Sequence, residues 1–256
     1  MGRLPEPEVN GMHRFFAESE KETGSLCFLS PEDARHARTV LRLSEGDTVE
    51  LLLPDGRFLA EIRRMDGNQV CVEKQQPLPD PEPRLNVTLF QGLPKADKMD
   101  WIVQKASELG VRRIVPLRMA RSVVRLDPGD AGRKRERWQK IAREACKQSG
   151  RYRIPEITLP LSPAEALSLI REMTVTVVPW EETETGGPLS VRNAFPDPAS
   201  LGIIIGPEGG IEPSEVALFR QSGALPITLG RRILRTETAG LAALSAFMTL
   251  YGEMEE

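Results

Sequence analysis

The chain has few of the residues from which metal sites and nucleophilic triads are usually built. It contains three cysteines and two histidines in 256 residues. Cys27, Cys71 and Cys146 are never paired as C-x-x-C, which argues against a disulfide framework or a zinc site and predicts free or buried thiols. His13 and His36 lie far upstream of the loops considered below, so a His-based metal site or a nucleophile–His–acid triad is hard to build. We therefore expect no bound metal.

Long apolar runs are also missing. No stretch approaches ~18 consecutive apolar residues, and the first residues, MGRLPEPEVNGMHRFF, contain no apolar core followed by a cleavage-like site. We therefore expect a cytoplasmic protein with no membrane partner. Hydrophobic residues make up 40% of the chain, which is enough to build a sizeable core in one large domain or two smaller ones.

The excess of one sign of charge is small over the whole chain but large in one segment. The formal net charge is −3, which by itself suggests no polyanionic partner. Residues 112–153, however, carry 14 Lys or Arg against four Asp or Glu. A segment of this kind is either a solvated helical face or a phosphate-binding surface.

The first 75 residues have the pattern of a small β-barrel. Ser30 and Pro31 are typical of the N-cap and the first position of a helix. Turn sequences at residues 45–47, 54–56 and 66–68 separate three predicted strands, at 48–53, 58–63 and 69–73. The polar, proline-rich sequence QQPLPDPEP at 75–83 predicts a linker, which we place at 76–83.

From residue 84 onward, predicted strands alternate with predicted helices. The strands are at 85–92, 114–117, 175–178 and in the apolar stretches that begin at 201 and 226, and the helices are at 96–109, 133–149, 163–173 and 239–251. In the first of these helices Trp101, Ile102 and Ala106 fall close to helical spacing, which predicts one apolar face. The alternation predicts an α/β domain with a parallel sheet covered by helices on both faces.

Two loops near the end of the chain are the candidate site. Each loop is predicted to follow a short strand, to contain glycine and to precede a helix. The two stretches are LGIIIGPEGG at 201–210 and PITLGRRILRTETAG at 226–240. Such loops lie at the carboxyl edge of a parallel sheet, where α/β proteins usually bind ligands. The first loop fits neither the dinucleotide nor the P-loop pattern, and its Glu208 carboxylate suits a positive centre or hydroxyl donors better than a pyrophosphate. The structural alternatives are a surface turn around Glu208 and an ion pair between Arg235 and Glu237.

The motif GPEGG at 206–210, followed at 229–239 by LGRRILRTETA, resembles the RsmE family of small-subunit ribosomal RNA uridine N3-methyltransferases, which belong to the SPOUT class. Three further stretches are similar to family segments: MHRFF at 12–16, KADKMDWIVQKASELGV at 95–111 and SGRYRIPEI at 149–157. The resemblance therefore covers nearly the whole chain.

The resemblance implies a fold and partners that composition does not reveal. Residues 1–75 would form a PUA-like RNA-binding β-barrel, and 84–256 a SPOUT methyltransferase domain with a deep trefoil knot. Pattern reasoning alone predicts an unknotted sheet, because threaded chains are rare. The partners implied are small-subunit ribosomal RNA, within the assembled subunit, and a second copy of the chain in a homodimer. An interface of knot helices fits the apolar sequence of 239–251.

The resemblance also implies that S-adenosylmethionine binds among three knot loops. The residues that correspond to these loops by position are Pro179, Trp180, Glu181, Ile205, Gly206, Pro207, Glu208, Gly209, Gly210, Leu229, Gly230, Ile233, Leu234, Arg235, Thr236, Glu237 and Thr238. The adenine would lie against backbone amides and apolar side chains, and the sulfonium nearer the polar residues.

Methyl transfer to uridine N3 requires help with the proton that this nitrogen carries at neutral pH. The sequence leaves the general base unassigned among His13, His36, Glu181, Glu208 and Glu237. Arg14 and Arg151, which lie in family-like motifs, are the predicted catalytic residues, as stabilisers of the uracil anion. Tyr152 stands where the family often has Asn, and a tyrosine there could stack on a base.

The predicted RNA-binding residues are Arg14, Lys95, Lys98, Arg121, Arg125 and Arg151. We expect charge reversal of Arg121 or Arg125 to weaken RNA binding and to leave cofactor affinity unchanged. Two alternatives remain open from the sequence: a SPOUT methyltransferase that acts on another RNA or base atom, and a non-catalytic RNA-binding protein of ribosome assembly.

Overall fold

The computed structural model describes residues 12–19, 25–67, 69–183 and 186–255. These residues divide into two compact units. The first holds the described residues up to Glu82 together with Lys147–Arg153, and the second holds Pro83–Cys146 and the chain from Ile154 onward. The chain therefore enters the first unit twice.

The first unit contains a closed five-stranded barrel in the order β1-β2-β5-β4-β3. Its strands are β1 (Arg14–Ser19), β2 (Leu26–Leu29), β3 (Thr48–Leu53), β4 (Gly56–Asp66) and β5 (Gln69–Pro77), and α1 (Pro31–Thr39) follows β2. The predicted helix start is confirmed, since the Ser30 hydroxyl accepts a hydrogen bond from the Asp33 backbone N–H at 3.1 Å. The barrel predicted from the turn pattern is also confirmed.

The predicted linker begins too early. β5 continues through Gln75 to Pro77, where Pro77 pairs with Phe58 of β4. Proline is tolerated at this position because it ends the strand and need not donate to the ladder. The pairing with β4 overrides the proline-rich composition on which the prediction was based.

Residues beyond β5 pack with the returning segment Lys147–Arg153 inside the first unit. The guanidinium of Arg151 donates to Glu82 at 2.8 Å, and the two side chains are only 5% and 2% exposed. The Tyr152 hydroxyl donates to Asp80 at 3.1 Å. Removing one partner of such a buried ion pair strongly destabilises the fold, because the other charge is then left buried without compensation.

The second unit contains a six-stranded sheet in the order β11-β9-β10-β6-β7-β8, and every neighbouring pair is parallel. Its strands are β6 (Asn86–Gly92), β7 (Arg113–Leu117), β8 (Glu156–Ile157), β9 (Val175–Pro179), β10 (Ser200–Ile205) and β11 (Leu225–Ile227). The helices of the remaining chain are α2 (Lys98–Glu108), α3 (Pro128–Ser149), α4 (Pro163–Glu172), α5 (Pro188–Ala194), α6 (Pro213–Gln221) and α7 (Thr236–Leu250). The predicted parallel α/β sheet is confirmed.

Both faces of this sheet are buried. Leu89 of β6 and Ile203 of β10 belong to one apolar cluster, and the next residues, Phe90 and Ile204, belong to another on the opposite side. Side chains alternate along a strand, so each strand supplies both clusters. This explains the continuous apolar runs that predict a sheet covered on two sides.

Two helices differ from their predictions, one in its buried face and the other in its first residue. Trp101 is 51% exposed rather than part of the buried face of α2, which consists of Met99, Ile102, Val103 and Ala106. The Lys105 ammonium lies 5.2 Å from the centre of the Trp101 ring. The last helix, predicted at 239–251, begins at Thr236, so the end of the predicted loop forms the first turn of α7.

The three cysteines are buried and form no disulfide within the described part of the chain, as predicted. Among the described residues, no helix combines the length and the apolar character needed to cross a bilayer. The trefoil knot implied by the resemblance stays a prediction.

Candidate functional site

Three loops meet at the carboxyl edge of β11, β9 and β10, which are adjacent in the parallel sheet. They surround a cavity of about 430 Å³. Its lining residues are Lys98, Pro179, Glu181, Ile205, Gly206, Pro207, Glu208, Gly209, Gly210, Ile211, Ile233, Leu234, Arg235, Thr236 and Ala239. Most of the residues predicted to bind the cofactor are thus brought together, and Lys98, Ile211 and Ala239 join them.

A second cavity of about 430 Å³ shares part of this wall. The shared residues are Pro179, Glu181, Ile233, Leu234 and Ala239, and the others are Trp180, Thr183, Thr228, Leu229, Gly230, Arg231 and Arg232. Of the residues predicted to bind the cofactor, Glu237 and Thr238 line neither of these two cavities. The side chain of Ile233 is 88% exposed, so an apolar group stands at the shared mouth.

The GPEGG loop lies directly against the end of β6. A Cβ placed on Gly92 would come within 2.6 Å of the Pro207 backbone nitrogen. This contact is to backbone and cannot be relieved by a side-chain rotation, so glycine is required at position 92 for the loop to approach. Gly92 is not recognisable from the sequence as part of the site, because its partner Pro207 is far away along the chain.

A buried hydrogen-bond chain ties three segments together behind the cavity. The Gln91 side-chain amide donates to Thr236 Oγ1 at 2.9 Å, and the Thr236 hydroxyl donates to the Gly206 carbonyl at 2.6 Å. β6, the start of the GPEGG loop and the first turn of α7 are therefore held in one arrangement. The Gln91 and Thr236 side chains are buried, so these bonds specify geometry, because a buried polar group that loses its partner is costly.

Lys98, predicted to bind RNA, lies instead on the wall of the first cavity. Its ammonium is 3.0 Å from Glu208 Oε1 and 3.1 Å from Glu237 Oε2. Glu237 is therefore paired with Lys98 rather than in the predicted structural pair with Arg235. The contacts of its ammonium with the Glu208 and Glu237 carboxylates, which favour the charged form, raise the pKa of Lys98 above its usual value.

The same contacts keep the two carboxylates ionised. Burial acts to raise the pKa of Glu208, but hydrogen bonds from its own backbone N–H, from Lys98 and from the Lys95 N–H outweigh burial and lower it. For Glu237, burial is likewise outweighed by its backbone N–H and Lys98, so its pKa is also lowered. A carboxylate with a lowered pKa is a weak base, which argues against either group as the general base.

The basic segment also reaches the candidate site. Arg121 donates to the Gly209 carbonyl at 3.2 Å, and the Glu215 carboxylate accepts from the Ala120 backbone N–H at 2.9 Å. Arg121 and Arg125 are both exposed, and Arg121 also contacts the GPEGG loop. The Lys95 side chain is exposed as well, but its backbone N–H donates to Glu208 at 3.1 Å.

The two arginines predicted to be catalytic lie in the first unit and line neither of the two cavities. Arg14 donates to the buried Glu50 at 2.9 Å and to the Gln148 carbonyl at 2.6 Å. Arg151 is held by Glu82, as described above. In the first unit, burial together with the bond to Asp80 raises the pKa of Tyr152. Among the described residues, no group of three or more His, Cys, Asp or Glu is arranged to hold a metal ion.

Comparison with known proteins matches both parts of the chain to RNA methyltransferase families. The RNA methyltransferase domain family matches residues 81–248, and the RNA methyltransferase PUA domain family matches residues 29–75. These matches agree with the fold class predicted for the barrel and for the parallel sheet.

Relatives of known name cover nearly the full length. The ribosomal RNA small subunit methyltransferase E of Bacillus subtilis is 37% identical over 92% of this chain and 95% of its own. A structure of the Neisseria gonorrhoeae ribosomal RNA small subunit methyltransferase E bound to S-adenosyl methionine has a TM-score of 0.80 and 33% identity, covering 94% of this chain and 98% of that one. A Legionella pneumophila methyltransferase structure with bound cofactor SAM gives the same score and identity over 93% and 97%. The chain therefore belongs to the ribosomal RNA small subunit methyltransferase E family.

Proposed function

We propose that this chain transfers a methyl group from S-adenosylmethionine to N3 of one uridine in small-subunit ribosomal RNA. The observation that carries the proposal is the convergence of the three loops predicted to bind the cofactor around two cavities that share lining residues in the second unit. Family membership supports methyl transfer to small-subunit ribosomal RNA, because relatives are named for that activity and one structure of a named relative contains the cofactor. The choice of uridine N3 rests on the resemblance of the sequence motifs.

The residues of the first cavity fit the chemistry of this cofactor. Glu181 and Glu208 offer carboxylates to a cationic sulfonium, while Ile233 and Leu234 offer apolar surface to an adenine. The glycines at 206, 209 and 210 leave backbone amides and carbonyls accessible to a ligand. When bound, the cofactor supplies the electrophilic methyl group, and the protein supplies binding and orientation.

RNA binding and methyl transfer belong to different parts of the chain in this proposal. We assign RNA binding to the first unit, which holds the barrel, and methyl transfer to the second unit, which holds the parallel sheet. The basic segment 112–153 adds phosphate contacts, since Arg121, which contacts the GPEGG loop, and Arg125 are both exposed. A substrate of this kind places the enzyme in the cytoplasm with the ribosomal subunits, and we expect a homodimer.

The test is methyl transfer from labelled cofactor to assembled small subunits and to naked small-subunit RNA, both from cells that lack this activity. We expect label in one uridine, identified as N3-methyluridine by mass mapping of nucleosides, with assembled subunits as the better substrate. Subunits first incubated with enzyme and unlabelled cofactor should accept no label. Label at another atom or base would overturn the N3 assignment, and cofactor binding without transfer to either RNA would overturn the proposed substrate.

A further inference from the structure

Lys98 lines the first cavity and contacts two carboxylates that belong to different segments of the chain. Its ammonium contacts Glu208 of the GPEGG loop and Glu237 in the first turn of α7, at 3.0 and 3.1 Å. These carboxylates come from segments that are separate in sequence, and Lys98 is itself the first residue of α2. One side chain therefore holds three elements together at the candidate site.

The turn before α2 is shaped for this contact. The backbone N–H of Lys95 donates to both carboxylate oxygens of Glu208, at 3.1 and 3.3 Å. Ala96 has φ of 54°, in the left-handed region that residues with a Cβ rarely adopt. Such a conformation persists where the surrounding contacts determine it, and it occurs preferentially at functional sites. The turn directs the Lys95 amide and the Lys98 ammonium to the same carboxylate.

The charge balance makes the ammonium necessary for this arrangement. One positive charge lies between two negative charges, so each carboxylate has an attractive partner. Without Lys98, the carboxylates of Glu208 and Glu237 would lie near each other with no cation between them and would repel each other. We therefore expect the loops to separate or to become more mobile when the ammonium is removed.

We propose that Lys98 is a positioning residue, which fixes the GPEGG loop and the first turn of α7 in the arrangement that binds the cofactor and does not act on the uridine. This inference rests on the proposed function, because affinity for the cofactor named there reports the arrangement of the loops.

The variant Lys98→Met removes the charge and keeps most of the side-chain length. Lys105→Met is the matched control, because Lys105 lies on the same helix and pairs with Glu108 at 2.8 Å rather than with the cavity. Lys98→Arg tests rescue by a longer cation. Each protein is measured in three ways: amide hydrogen exchange without ligand, affinity for S-adenosylmethionine and for neutral S-adenosylhomocysteine, and kcat with KM for the cofactor.

For Lys98→Met we expect both ligands to bind ~10-fold more weakly, KM to rise in parallel and kcat to change less than ~3-fold, which is the signature of lost uniform binding. Amide exchange should accelerate at Gly210 and Ala239 relative to the wild type. Lys98→Arg should recover part of the affinity, and Lys105→Met should match the wild type in loop exchange and in cofactor affinity.

Three results would overturn the proposal. A fall in kcat with unchanged KM would place Lys98 at the reacting atoms, and a change confined to the ratio of the two ligand affinities would reduce its role to charge alone. Behaviour identical to Lys105→Met would remove the role altogether. If the wild type binds neither ligand, the proposed function fails, while the exchange comparison still decides whether Lys98 holds the loops.

Discussion

Gly92 shows how one missing side chain allows two segments to touch. In Gly92→Ala the new methyl group would meet the Pro207 backbone at 2.6 Å and displace the GPEGG loop. We expect a loss of stability of ~1–3 kcal/mol, as for other overpacked sites, and weaker cofactor binding. Thermal unfolding and calorimetric titration measure the two effects.

The control is Gly132→Ala in α3. A Cβ at Gly132 would meet no atom within 4 Å, and alanine favours a helix over glycine, so this variant should be slightly stabilised. Equal behaviour of the two alanine variants would contradict the close approach of Gly92 and Pro207.

The lowered pKa of Glu208 leads us to expect that the stability of the fold depends on pH. Because its pKa is lowered in the folded protein, the ionised carboxylate stabilises the fold at neutral pH. This contribution is complete above the unfolded pKa of about 4.3 and is lost as the pH falls through the folded value. The difference in melting temperature between the wild type and Glu208→Gln should therefore be largest near neutrality and shrink in acid. A difference of constant size down to pH 3 would argue against the ion pair.

The sequence predicts the backbone of the site better than its side-chain partners. The glycines of 206–210 and the apolar pair Ile233 and Leu234 are recognisable because the motifs are local. Lys98 and Gly92 are not, since their contacts with Glu237 and Pro207 join segments far apart in the chain. A lysine at a helix start is typical of a solvated face, and only the fold shows that this one faces two carboxylates.

At the scale of elements, α4 and α6 begin with the same chemistry and differ in burial. Each has proline at its first position and a glutamate three residues after the N-cap, whose side chain accepts from the N-cap backbone N–H. Glu165 of α4 is exposed, whereas Glu215 of α6 is 8% exposed and accepts a second backbone donor from Ala120. The cap of α6 therefore also anchors the segment that carries Arg121.

We expect Glu215→Ala to lower the free energy of unfolding by ~1–3 kcal/mol, because two backbone donors lose a charged acceptor. Glu165→Ala should cost less, since its donors remain open to water. Urea unfolding of both variants gives the comparison. Losses of equal size would show that the bond to Ala120 contributes nothing.

Elements with strong local patterns are predictable, and short ones are not. Helix starts at Pro31 and Pro213 follow from their capping residues. β2 and β8, with four and two residues, have too little sequence to show a period, and they form because neighbouring strands supply their hydrogen bonds. The start of α3 at Pro128, earlier than the predicted residue 133, reflects the same limit of local patterns.

At the scale of the whole molecule, the basic segment should control the salt dependence of RNA binding. Arg125→Glu should weaken RNA binding, reduce the salt slope by about 1 and leave cofactor affinity unchanged. The contact of Arg121 with Gly209 changes the sequence-based expectation for Arg121, and we now expect Arg121→Glu to weaken binding of both RNA and cofactor. Titrations over a salt series measure both affinities, and an unchanged slope for Arg125→Glu would exclude it from the RNA surface.

Variants at Arg151 can separate its predicted catalytic role from its structural role in the ion pair with Glu82. Arg151→Met would leave Glu82 buried without its cation, and we expect a loss of ~3–5 kcal/mol. The double variant Glu82→Met with Arg151→Met removes both charges and should recover much of the stability. Methyl transfer assays on the double variant then show whether Arg151 is needed for activity as well as for stability. Recovered stability without activity supports the catalytic role, whereas recovered activity assigns Arg151 to the fold alone.

The return of Lys147–Arg153 to the first unit has a consequence for biosynthesis. The ribosome makes the chain in order, so the residues up to Glu82 emerge while Arg151 and Tyr152 do not yet exist. During that interval the Glu82 carboxylate, which is 2% exposed in the finished protein, has no cation to accompany it into the interior. Domains usually fold one after another during synthesis. Here the first unit is completed only when part of the second has been translated, so a nascent chain arrested before Arg153 should remain vulnerable to proteolysis in its barrel.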